Sequence, residues 1–110
     1  DDPGWLRVQN ALRRARTLAE REQFEFAVVL FPLMVRQGSR FASHGALAQV
    51  QDFCQREGIP CFDAEPALIA ADLERLTVSS IDLHASGEAY AVVAPAVATW
   101  LSEQRWLARD

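Results

Sequence analysis

Apolar residues first recur with a helical period between residues 5 and 23. Trp5, Val8, Ala11, Leu12, Ala15, Leu18 and Ala19 fall on one face and predict an amphipathic helix. Arg7, Arg14 and Arg21 lie on another face, either as solvated charges or as a docking surface for an anionic partner. The period then changes. Ala27 to Phe31 are continuously apolar, the pattern of a strand covered on both faces as in a parallel sheet, and Pro32 ends it. Residues 33–41, with Gly38, Ser39 and Arg40, read as a loop. A second helix is predicted from about Ser43 to Glu57. Its stripe is Ala46, Leu47, Val50, Phe53 and Cys54, with Ser43 as cap and Gly58 as C-terminal stop. Ile59 to Phe62 predict a short strand closed by Asp63.

A strand, a helix and a strand joined by short links form a βαβ unit, whose strands should be parallel. Residues 65–76 predict a short helix with Pro66 in its first turn, and Thr77 to Ser86 a loop. The last helix is expected from about Gly87 to Ala108 with Ser86 as cap. Ala89, Val93, Ala96, Val97, Trp100, Leu101 and Gln104 mark its buried side. Pro95 lies inside it and should kink or interrupt it. The fold class is therefore α/β, a parallel-sheet domain of about two strands and four helices. Two parallel strands have two open edges and little core, so the expectation is a larger sheet, completed by a preceding segment or by further copies as a homo-oligomer.

Length and composition narrow the function classes. The chain has 110 residues, 50% hydrophobic and 24% charged, the balance of a single soluble globular domain. A net charge of −4 argues against a general nucleic-acid binder. The longest apolar runs, Phe26 to Val35 and Ala89 to Leu101, fall short of the roughly 20 residues of a membrane span. Asp1 to Gly4 do not read as a secretory signal, and both cytoplasm and periplasm stay open. Cys54 and Cys61 read as two partly buried thiols or as one bridge. The two histidines, His44 and His84, with no thiolate cluster, make a poor metal-ligand set, so no cofactor is expected.

Chemistry concentrates in Val78 to Gly87, where Asp82 and His84 stand two residues apart ahead of the last helix. A carboxylate beside a loop histidine can fix its tautomer and make it a general base. The alternative is a helix-start loop in which Asp82 accepts backbone N–H groups and His84 is a surface residue. His44 is either an exposed first-turn side chain or part of a pocket wall at the sheet rim. Asp63 is either an acid partner at that rim or the tie for the following turn; Glu65 and Glu88 read as first-turn acids favoured by the helix dipole. Of the serines, Ser39, Ser43, Ser79, Ser80, Ser86 and Ser102, none sits in a nucleophile-elbow motif.

Three blocks in order carry a family resemblance. "FAVVLFPLM", "LAQVQDFCQREGIPCFDAEPAL" and "VSSIDLHASGEAYAVVAPAVATWL" resemble the late core strand, the helix–strand–Asp turn and the final Asp/His block of the SGNH (GDSL-type) hydrolases. The resemblance spans Phe26 to Leu101 and implies the C-terminal portion of a parallel-sheet αβα sandwich. It implies esterase chemistry on a small ester or an acetylated carbohydrate, with His84 as the base and Asp82 as the acid that orients it. The family's usual spacing is D-x-x-H; here it is D-x-H, with Ile81 at the other position, and Ala85 and Ser86 stand where Pro and Asn usually follow. The family's G-D-S-L nucleophile block, oxyanion Gly and Asn are not among these residues. The alternative is a non-catalytic α/β module that oligomerises through its open sheet edges.

Overall fold

The structure is a computed structural model that describes residues 2–73, 75–79, 81–82 and 84–104. Its elements are α1 (Pro3–Glu22), β1 (Val28–Leu30), β2 (Arg36–Gln37), β3 (Arg40–Phe41), α2 (His44–Glu57), β4 (Cys61–Asp63), α3 (Glu65–Ala71) and α4 (Gly87–Glu103). β1 and β4 pair in parallel, with Val28 opposite Cys61, Val29 opposite Phe62 and Leu30 opposite Asp63. The βαβ unit is thus present, in a mixed α/β chain with four helices and a two-stranded parallel sheet. A second, smaller sheet is the antiparallel pair β2–β3, inside the segment expected to be loop. It turns at Gly38 and Ser39, with Gly38 at φ 63°, where a side chain would be strained.

Alternation along the strands divides the core in two. Val28 and Cys61 face a cluster built on Phe53, Cys54 and Ile59, to which α1 adds Trp5 and Leu12. Trp5 meets Phe53 edge-on, with ring centroids 5.7 Å apart. Phe31 and Phe62 face the other cluster, built on Met34, Phe41, Ala64, Leu68, Ala89 and Val93. Two ring contacts from α4 cover that face, Phe31 to Tyr90 at 5.2 Å and Phe62 to Trp100 at 5.6 Å. Each fully buried large side chain, such as Phe53 or Leu68, contributes about 1.5–3 kcal/mol by leaving water. Coverage of α1 is less complete than its stripe predicts: Ala19 is buried, but Val8 and Leu18 stay exposed. Arg7, Arg14 and Arg21 are exposed. It is instead Arg13 and Arg16 that reach α2, where Arg16 donates to the Glu57 carbonyl oxygen at 2.5 Å and Arg13 meets its carboxylate at 3.3 Å.

Several boundaries differ from expectation, each for a local reason. Ser43 precedes α2, but its hydroxyl does not cap the helix; it accepts the Leu33 N–H at 2.9 Å and ties down the segment after β1. The second strand is shifted to Cys61–Asp63. α3 stops at Ala71 because Asp72 turns left-handed, at φ 47°. Leu73 and Leu76 still pack on the core, so their spacing records burial of irregular chain rather than further helix. Pro95 does not interrupt α4. It sits on the exposed side, and Ala91, whose carbonyl loses its usual N–H partner, is exposed to solvent as well. Residues 105–108 of the expected last helix lie outside the described residues.

Two ends match expectation and give measurable consequences. Gly58 closes α2 at φ 69°, its N–H returning to the last turn. Gly58→Ala is expected to cost about 1 kcal/mol in urea unfolding, through left-handed strain alone, since open space surrounds the site. Ser86 is 2% exposed. Its Oγ accepts the Ala89 N–H at 3.1 Å and its hydroxyl donates to the Arg75 carbonyl at 2.7 Å. Ser86→Ala removes the cap and strands that carbonyl, with an expected loss of about 1–2 kcal/mol by thermal denaturation.

Candidate functional site

The loop ahead of α4 is built by its own backbone. Thr77 and Ala85 form an antiparallel bridge, the Val78 N–H donates to the His84 carbonyl at 3.0 Å, and the Ser79 N–H donates to the Asp82 carbonyl at 3.2 Å. Ser79 Oγ accepts the N–H groups of Ile81 and Asp82, at 3.2 and 2.9 Å. These bonds hold Asp82 beside His84. Asp82 Oδ1 accepts the His84 backbone N–H at 3.1 Å and pairs with His84 Nδ1 at 2.6 Å. One oxygen of Asp82 thus makes both contacts: it accepts the backbone N–H that organises the turn and it meets the imidazole, which is a surface side chain.

The electrostatic consequences follow from that contact. Hydrogen bonds from the His84 ring and from its backbone N–H, with the ring's charge, hold the Asp82 carboxyl below its ordinary pKa, against a smaller opposing effect of burial. A carboxylate on Nδ1 fixes the ring proton there, which leaves Nε2 with the lone pair. His84 is 89% exposed and Asp82 49%. With Leu33 and Ile81 they line an open hollow of about 450 Å³. Leu33 follows the C-terminal end of β1, so the pair stands at the carboxyl rim of the parallel sheet, the usual place for ligands in α/β proteins.

Four of the five described serines are engaged elsewhere. Ser43 accepts from Leu33, Ser79 from the loop, Ser86 caps α4, and Ser102 donates to the Ala98 carbonyl at 2.9 Å. Ser39 occupies the β2–β3 turn. Ser80 lies outside the described residues, as does Leu83. The structure thus joins Asp82 to His84 but brings no described serine onto the His84 ring as a hydrogen-bond partner.

A second histidine–carboxylate pair was not foreseen. Glu65, expected as an ordinary first-turn acid, is 5% exposed. One of its oxygens accepts the Phe41 N–H at 3.0 Å and the other pairs with His44 Nδ1. His44 is half-buried rather than a free first-turn side chain, and its Nε2 meets an Arg40 guanidinium nitrogen. Burial pushes the Glu65 carboxyl up. The His44 and Phe41 hydrogen bonds and the nearby charges of His44 and Arg40 outweigh it, so the net shift is downward. Asp63 ties the turn, its Oδ1 accepting the Glu65 N–H at 3.0 Å. Glu88 does lie in the first turn of α4.

The two pairs differ where chemistry would occur. A guanidinium donor sits on Nε2 of His44, so that nitrogen is already an acceptor. The His84 side chain is 89% exposed and lines the hollow, and Asp82 is the side-chain partner its ring shows. Among the described residues no three His, Cys, Asp or Glu side chains gather as metal ligands, and no helix is long and apolar enough to cross a membrane. Compared with known family models, curated proteins and solved structures, the chain finds no match in any of the three.

Proposed function

We propose that these residues supply the base half of an SGNH (GDSL-type) serine-esterase site. In it His84 takes a proton from an attacking serine hydroxyl and Asp82 orients and charge-stabilises the imidazole. The observation that carries the reading is the Asp82–Nδ1 contact at 2.6 Å, with the His84 side chain exposed in the hollow it shares with Leu33 and Ile81. The ring is then a base in the required tautomer. Leu33 and Ile81, exposed in the same hollow, suit the apolar part of a small ester or acetyl group. The substrate class is a small carboxylic ester, including an O-acetylated carbohydrate. No cofactor is required. The nucleophilic serine and its oxyanion donors come from outside the described residues, in a preceding segment or another copy. The larger αβα sheet belongs to the same proposal.

The test is saturable p-nitrophenyl acetate turnover by the full reading frame that encodes these residues, beside its His84→Ala variant. Saturation matters because a free imidazole also hydrolyses this ester slowly. An organophosphonate that inactivates the protein would label the serine and place it in the sequence. His84-independent turnover would overturn the proposal.

One observation favours a second reading, a non-catalytic module that pairs through its sheet edge. β1 has β4 as its strand neighbour, and Val29, inside a continuously apolar run, is 42% exposed. Sedimentation of the 110-residue chain separates the readings: a concentration-dependent dimer without esterase activity in the full reading frame favours the module.

A further inference from the structure

Cys54 and Cys61 sit on elements that pack together. α2 carries Cys54, fully buried, against β4, which opens with Cys61, half-buried. The link between them is short and closed: the Ile59 N–H donates to the Cys54 carbonyl at 2.8 Å, and Gly58 makes the turn. Both residues belong to the same apolar cluster as Phe53 and Ile59, and each thiol is among the causes that shift the other's pKa. Access is one-sided. Cys61 lines a hollow of about 430 Å³ with Gln51, Asp52, Gln55 and Ile59, whereas Cys54 is 0% exposed. This hollow is at the amino end of β4, opposite the rim reached from Asp63.

We propose that Cys54 and Cys61 are a built dithiol site that a small organic disulfide converts to an intramolecular bridge, stapling α2 to β4. The Cys61 thiol, reached through the hollow, loses its proton to solvent and attacks one sulfur of the incoming disulfide. The incoming S–S bond breaks, and one half leaves as a thiolate that is protonated. The Cys54 sulfur, on losing its proton, then attacks the Cys61 sulfur of the mixed disulfide and expels the second half. Two electrons pass from the cysteine pair to the small disulfide, which ends as two thiols, so no further oxidant is needed.

Thiolate supply sets the pace. Burial, with the neighbouring Cys54 and Asp63, pushes the Cys61 thiol up to about 12, and burial raises Cys54 as well. Exchange should therefore be slow at neutral pH and close to tenfold faster for each pH unit above it, the mark of a structural staple rather than a rapid sensor.

The probe is oxidised glutathione added to the folded 110-residue chain, read by intact mass without reductant and by thermal unfolding. The expected product is a monomer two hydrogens lighter, with an unfolding midpoint at least about 5 °C higher that returns on adding dithiothreitol. The Cys54→Ser variant should stop at one glutathione on Cys61, and Cys61→Ser should stay unmodified because Cys54 is covered. A stable glutathione adduct on the parent chain would overturn the proposal, as would a disulfide-linked dimer or no reaction at pH 9.

Discussion

Glu65→Ala is expected to lower the free energy of unfolding by about 3 kcal/mol, from lost packing and from buried hydrogen-bond partners left without an acceptor. The loss is held to that size because the His44 side chain is 37% exposed and water can replace part of its contact. The loss has three sources: the Phe41 N–H keeps no acceptor, His44 loses its anchor, and the space of a 5%-exposed side chain is left unfilled. For a domain of this size the unfolding midpoint should fall by more than about 10 °C. Urea denaturation with a well-defined m-value is the measurement, and a change below about 1 kcal/mol would mean that the contact contributes little. Acid adds a second signature. The folded Glu65 carboxyl lies below its ordinary value of 4.5. Its stabilisation is thus complete above that value and disappears as pH falls through the lower, folded one. The parent chain should lose stability across this acidic window, and Glu65→Ala should lose less.

The same residue marks where sequence pattern stops being informative. A glutamate in the first turn of α3 has the signature of a dipole-favoured surface acid. Nothing in the order of residues says that Phe41 and His44, some twenty positions earlier, will fold over it. That contact depends on the β2–β3 hairpin, which did leave a trace. Gly38-Ser39 is a two-residue turn of hairpin type, but strands of two residues are too short to show alternation. By contrast, features specified within one turn were legible. Gly58 and Ser86 end and begin helices through their own backbone geometry and hydroxyl. Within the apolar run Ala27 to Phe31, Val28–Leu30 do form a strand, with Leu30 buried, but Val29 stays 42% exposed, so the cover expected on both faces is incomplete. Asp82 and His84 were legible as a pair because two residues of separation already bring them within reach. The serine that the pair would serve cannot be read this way, since in a serine-esterase site of the proposed kind nucleophile and base would come from distant segments.

His84→Ala in the full reading frame is the strongest functional test. If His84 is the base, its loss should reduce kcat/KM for p-nitrophenyl acetate by about 10³-fold or more, as for a general base that acts as one unit with its nucleophile. Stability should hardly respond, because the ring is 89% exposed and its side-chain contact is with another exposed residue. An unfolding midpoint within about 2 °C of the parent is expected. Asp82→Asn should be milder, on the order of 10- to 100-fold. A buried acid in this role is worth more, but Asp82 is 49% exposed and water can replace part of its effect. The asparagine oxygen can still accept the His84 backbone N–H, so the loop should keep its shape while the amide loses the charge that favours imidazolium. A large kcat effect at His84, a smaller one at Asp82 and an unmoved midpoint in both form a pattern that a structural role cannot produce. Equal and small losses at the two positions would instead leave Asp82 and His84 as a turn-stabilising pair.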